Sequence, residues 1–211
     1  MKKYFLLTAL IIGFQSLVIA QFRVGLKFGV SSDNIVTSPI DIHSTNDFSD
    51  LKLSLLNANY GIHAGIFTQL KILGIFIQPE FVFNSSSADY KLSQISHSPV
   101  EIIKRETYQN LDIPVLVGVK LGPLQLGAGP VGHVFINSTS ELFDVSGYKQ
   151  KFKELKYGYQ TSAALVIGKL YLNVRYEGNL SKFGDHFEFF GKEYAFDKSP
   201  SRILGSIGIA F

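Results

Sequence analysis

The chain has 211 residues, 46% of them hydrophobic, a formal net charge of +3 at pH 7 and no cysteine. This apolar content and near-neutral charge exclude a disordered chain and give no reason to expect nucleic acid as a partner. The missing thiols exclude disulfide scaffolds, thiolate metal sites, cysteine nucleophiles and a lipid-bearing N-terminal cysteine.

Met1-Lys2-Lys3 is a short basic start, residues 4–14 are apolar apart from Thr8 and Gly13, and Val18-Ile19-Ala20 offers small or β-branched residues to a signal peptidase. The pattern predicts a cleaved secretory signal over residues 1–20 and a mature domain over 21–211. The apolar run is shorter than the ~20 residues of a spanning helix.

Residues 22–31 then alternate strictly. Phe22, Val24, Leu26, Phe28 and Val30 share one face; Arg23, Gly25, Lys27, Gly29 and Ser31 share the other, which is the period of a strand. The same period returns over 57–70, 73–83, 107–121, 124–137, 157–167, 170–180 and 203–211. Large residues interrupt the polar face at Phe76, Val82, Tyr108, Leu116, Phe135 and Tyr171, and Thr68, Gln109 and Thr161 fall on the apolar one. No stretch after the signal has helical periodicity.

Tight turns are predicted at Lys71-Ile72, Gly122-Pro123 and Gly168-Lys169. Long loops rich in Ser, Asn, Asp and Lys are predicted over 32–56, 85–106, 138–156 and 181–202. Long and short connections alternate. The expected fold is therefore all-β: an eight-stranded antiparallel up-and-down transmembrane β-barrel with four long outer loops and short periplasmic turns.

Alternation alone does not say which face is inside, because a soluble barrel buries its apolar face. Three features favour the inverted, membrane arrangement. Glycines crowd the polar face, leaving room there for long charged side chains. Aromatic residues gather near strand ends, as interfacial girdles do. Opposite charges also sit near mid-strand on the polar face, giving a predicted lumen network of Arg23, Lys27, Glu80, Asp112, Lys120, Arg175 and Glu177. In a dry lumen such groups must pair.

Ile207, Ile209 and Phe211 lie on the apolar face of the last strand and look like the C-terminal signal by which outer-membrane barrels are recognised for assembly. Leu111-Asp112-Ile113-Pro114-Val115-Leu116-Val117, followed by Leu126-Gly127-Ala128-Gly129-Pro130, resembles the PorT-like outer-membrane barrel family of Bacteroidetes, as does Ala20-Gln21 at the processing site. The resemblance covers essentially the whole mature chain. It implies an eight-stranded barrel in the bacterial outer membrane; PorT itself is linked to a system that exports proteins across that membrane. Expected partners are outer-membrane lipid, the barrel-assembly machinery during biogenesis, and envelope proteins met through the loops.

Five histidines occur, His43, His63, His97, His133 and His186, with no metal-ligand spacing. His63 and His133 read as hydrogen-bonded lumen residues. His133 with Ser138 or Ser140 and Glu141 is the nearest approach to the lipase-like triad of some outer-membrane lipid A enzymes, but the His-x-Ser-Asn pattern is missing. Asp41, Asp47 and Asp50 lack calcium-loop spacing. A filled lumen leaves no aqueous channel. The expectation is a structural or interaction component of the cell envelope, such as an accessory of a secretion or surface-assembly machine. It is expected not to be an enzyme and to have no catalytic residue, cofactor or metal. The alternatives are a lipid-A-modifying outer-membrane enzyme and a soluble secreted ligand-binding barrel.

Overall fold

A computed structural model of the chain describes residues 21–34, 38–42, 51–58, 60–94, 101–140, 148–150, 155–180, 187–189, 192–194 and 201–211. The predicted signal lies outside the described residues. The strands are β1 (Gln21–Asn34), β2 (Ile40–Ile42), β3 (Leu51–Ala58), β4 (Tyr60–Ile72), β5 (Ile75–Gln94), β6 (Glu101–Leu121), β7 (Leu124–Ser140), β8 (Tyr148–Gln150), β9 (Leu155–Ile167), β10 (Leu170–Asn179), β11 (Phe187–Phe189), β12 (Lys192–Tyr194) and β13 (Ser201–Ala210). Ten of them form one antiparallel sheet in the order β2-β3-β5-β4-β1-β13-β10-β9-β7-β6, and β5 also pairs with β6. That last pairing gives β6 its second neighbour, so that β1, β4, β5, β6, β7, β9, β10 and β13 follow one another in a closed ring of pairings.

These strands turn their apolar faces outward. Phe28 is 59% exposed while its neighbour Lys27 is 5% exposed, and the same contrast runs along β4, β9 and β13. An outward apolar band with polar residues inside is the membrane arrangement, opposite to that of a soluble barrel.

The large residues that broke the polar face fill the interior. Phe76, Val82, Leu116 and Tyr171 are buried, and Phe67 packs on Tyr171 with ring centroids 5.2 Å apart. The inward glycines serve these rings more than the charged side chains. A Cβ on Gly127 would meet Phe76 Cζ at 2.9 Å, and one on Gly118 would meet the same atom at 2.6 Å.

The first tight turn is Leu73-Gly74, not Lys71-Ile72, because β4 keeps pairing through Lys71↔Phe76 and Ile72↔Ile75. Leu73 and Gly74 have φ of 50° and 85°, the left-handed pair that a two-residue hairpin with matching twist requires. Gly122 and Gly168 open the other two turns at φ of 62° and 61°.

The expected long loops need a larger correction, since they contain strands. Residues 57–70, read as one strand, divide between β3 and β4. β5 and β6 run on together to Ser93↔Glu101, and β3 and β2 add to the edge of this extension. Ile40, Ile42, Leu53, Ala88, Tyr90 and Leu92 form a buried apolar cluster there. Burial of these residues outside the membrane band supplies what a polar loop lacks, a reason to stay in one conformation. β8, β11 and β12 form a separate three-stranded sheet.

Within the extension, the Tyr108 hydroxyl donates to Glu106 Oε2 at 2.5 Å and lies 2.5 Å from the Tyr90 hydroxyl. Burial, Tyr90 and Glu106 push the Tyr108 pKa well above the usual 10.0. A raised folded-state pKa favours the neutral phenol, so its stabilisation is complete below pH 10 and is lost as pH rises through the folded value. Limited proteolysis of the native protein at increasing pH is expected to cut the extension before the membrane strands, and Tyr108→Phe to move that onset upward. Identical onsets in the two proteins would show that Tyr108 is not the titrating group.

Candidate functional site in the lumen

The inward side chains form layers. Nearest the tight turns, Gln69 Nε2 donates to Gln78 Oε1 at 2.6 Å and to Gln125 Oε1 at 2.9 Å. Gln78 in turn donates to Glu80 Oε1 at 2.6 Å. Glu80 is fully buried. It accepts from Lys27 Nζ at 2.8 Å and from Arg175 Nη1 and Nη2 at 2.8 and 2.5 Å. Arg175 also reaches Asn173 and Gln160. Lys27 stands on β1, Glu80 on β5 and Arg175 on β10, so this pairing ties distant parts of the chain across the interior.

A second layer lies toward the long connections. Arg202 of β13 donates to Asp112 Oδ2 at 2.5 Å and sits 2.6 Å from Glu177 Oε1 through Nε. His133 Nδ1 is 2.7 Å from Asp112 Oδ1, and its Nε2 is 3.7 Å from Glu177 Oε1. Gln160 donates to Glu177 Oε2 at 2.6 Å. The two layers hold Lys27, Arg175 and Arg202 against Glu80, Asp112 and Glu177, equal numbers of cations and carboxylates. Buried ions persist where such pairing and hydrogen bonding offset desolvation.

Of the seven residues predicted for the lumen network, Lys27, Glu80 and Arg175 are bonded together, and Asp112 and Glu177 meet through Arg202. Arg23 and Lys120 do not join them; they are half-buried at the tight-turn end. Arg202 was placed in a loop, although it continues the inward even positions of Leu204, Ser206, Gly208 and Ala210. His133 is bonded as expected. His63 is not: among the described residues neither of its ring nitrogens has a hydrogen-bond partner, nor do the side-chain atoms of Asn84 or Ser31 Oγ, all of them buried. Ile207, Ile209 and Phe211 point outward.

Two chemical capacities follow. Asp112 fixes the His133 tautomer when Nδ1 carries the proton, leaving Nε2 as a base. Asp112, His133 and Glu177 also present potential ligand atoms within 4.8 Å of one another. Arg202 already lies against both of those carboxylates, so a divalent cation would have to displace it. Ser138 is half-buried on β7, while Glu141 and the Ser140 side chain lie outside the described residues, as do His43, His97, His186, Asp47 and Asp50. Asp41 is exposed on β2.

A family model described as "Outer membrane protein beta-barrel domain" matches residues 15–184. No curated protein matches the chain. Among solved structures, the outer membrane protease OmpT from Escherichia coli is similar at 10% identity and TM-score 0.45, covering 90% of this chain and 96% of its own. LpxR from Salmonella typhimurium is similar at 8% identity and TM-score 0.32, covering 88% of this chain and 99% of its own. The expectation that the protein is not an enzyme is corrected by these findings, since a protein with a similar overall trace is by name a protease. At these identities and scores neither likeness assigns an activity, a substrate or a residue.

Proposed function

Because the chain belongs to the outer membrane protein β-barrel domain family and so resides in the bacterial outer membrane, we propose that the eight strands of its ring of pairings close as a PorT-like barrel that acts as an interaction component of the envelope. The supporting observation is the β2-β3-β5-β6 extension with its own apolar cluster. Ordered β-structure standing outside the membrane band, over a lumen filled by paired charges, suits docking of another protein better than passage of solute. The test is a photo-reactive amino acid at Ile103, 63% exposed on the extension, with Val174, 59% exposed on the membrane band, as control. The reading expects a discrete protein adduct from position 103 in cells and none from 174. A folded protein giving no discrete adduct at 103 would remove it.

A second reading, an outer-membrane enzyme acting on lipid A, is favoured by the Asp112–His133 pair. It expects the lipid A mass profile of expressing cells to change, and His133→Ala to restore the profile of cells lacking the protein.

A further inference from the structure

Pro79 in β5, Pro114 in β6 and Pro130 in β7 stand inside strands of the ring. Proline has no main-chain donor, and in a sheet it is ordinarily kept to edge strands or bulges. Here each one interrupts a ladder without shifting it. The β4–β5 pairing passes from Phe67↔Glu80 to Leu70↔Ile77, the β5–β6 pairing from Pro79↔Val115 to Val82↔Asp112, and the β6–β7 pairing from Pro114↔Val131 to Val117↔Ala128. Two pairs drop out at each step, and the register agrees on either side of it. By that register Thr68, Glu80 and Val115 lie opposite the three prolines, so their carbonyls lack the N–H that another residue would offer. The other five ladders of the ring run without a break.

The three steps are contiguous. Thr68, Pro79, Val115 and Pro130 stand side by side across four strands, and β5 and β6 are the two strands interrupted on both edges. A main-chain carbonyl without a donor is costly at membrane depth, so this row is a line of low local stability. The interior charges divide along the same line. Glu80 stands on β5 and Asp112 on β6, while the cations they hold, Lys27, Arg175 and Arg202, stand on β1, β10 and β13. These pairs therefore cross the lumen from strands with unbroken ladders to the two strands with broken ones.

We infer that β5 and β6 form a movable panel in the wall, latched to the rest of the ring by the charge pairs that reach Glu80 and Asp112 across the lumen. With the pairs intact the panel keeps its register. With one undone the wall loosens at the proline row before it loosens at the β1–β13 seam. The same two strands run on into the extension, so a displacement of the extension is passed to the panel and pulls on both carboxylates. The device goes beyond the docking reading and does not depend on it, since the isolated protein carries both panel and latch.

The test is amide hydrogen exchange, read by mass spectrometry, on the folded protein in detergent. Peptides over 75–84 and 110–119 report the panel, and peptides over 160–167 and 203–210 report the unbroken ladders. One main-chain hydrogen bond corresponds to about a fivefold change in local opening. The wild-type panel is expected to exchange faster than the reference strands by at least about that factor. Pro79→Ala, Pro114→Ala and Pro130→Ala, each of which returns a donor, should each slow exchange at its own step by about fivefold. Glu80→Gln removes the charge of the latch and should speed exchange in the panel by on the order of tenfold, with the reference strands unchanged. A wild-type panel as protected as the reference strands would overturn the inference, as would a Glu80→Gln effect spread equally over all strands. Where Glu80→Gln fails to give the compact unboiled band, the proline variants decide: unchanged exchange at all three steps would show that the prolines do not loosen the wall.

Discussion

Glu80→Ala is expected to be the most damaging single substitution in the interior. Glu80 is the carboxylate on which both Lys27 and Arg175 converge, and these cations are only 5% and 2% exposed. Removing one partner of a buried pair costs about 3–5 kcal/mol, mostly as the desolvated charge left behind. Here two cations lose the same partner and are left facing each other. The measurement is the urea midpoint for loss of the compact, fast-migrating unboiled band. Replacing all three residues with apolar ones of similar volume should recover most of the loss, because no charge is then stranded. A loss below about 1 kcal/mol for Glu80→Ala would mean that water reaches these cations and that the layer does not seal the lumen.

Gly127→Ala is expected to destabilise through one contact. The nearest atoms to an added Cβ are Phe76 Cζ at 2.9 Å and Cε2 at 3.4 Å, with Val117 O also at 3.4 Å. Overpacking of this kind costs about 1–3 kcal/mol. Phe76→Leu in the same chain should cancel most of that cost, giving a strong coupling between the two sites. Gly118→Ala is the contrast. Its Cβ would overlap the Leu126 carbonyl oxygen and approach Gly127 Cα at 2.6 Å as well as Phe76 Cζ at 2.6 Å. Main chain cannot step aside, so trimming Phe76 should restore little. Equal rescue at both glycines would show that the ring alone, not the close approach of β6 and β7, dictates glycine at these positions.

The faces of the membrane strands were legible because burial on one side of a strand imposes a period of two on the sequence, as in residues 22–31. The hairpin glycines at 122 and 168 were legible for a similar reason, since a two-residue turn restricts φ. The Leu73 turn was not, because leucine rarely adopts a positive φ and gives no turn signal. The extension was missed for a different reason. Its apolar residues, such as Ile40, Leu53 and Tyr90, are buried by strands that meet only in three dimensions, among serines and asparagines that read locally as loop. Charge pattern identified Lys27, Glu80, Asp112, Arg175 and Glu177 as inward groups, yet it could not assign partners. Arg202, which joins two of those carboxylates, was hidden by a strand start placed two residues too late.

The closing seam of the sheet sets an order on assembly. β1 pairs with β13, and the two ionic layers draw on β1, β5, β6, β7, β10 and β13. Glu80 and Arg175 are 95 residues apart in sequence. A nascent chain therefore carries Glu80 without Arg175 until β10 arrives, and Asp112 and Glu177 without Arg202 until β13 arrives, and unpaired charges oppose the entry of single hairpins into hydrocarbon. The interior charge pairing is thus complete only once β13, which brings Arg202, lies against β1.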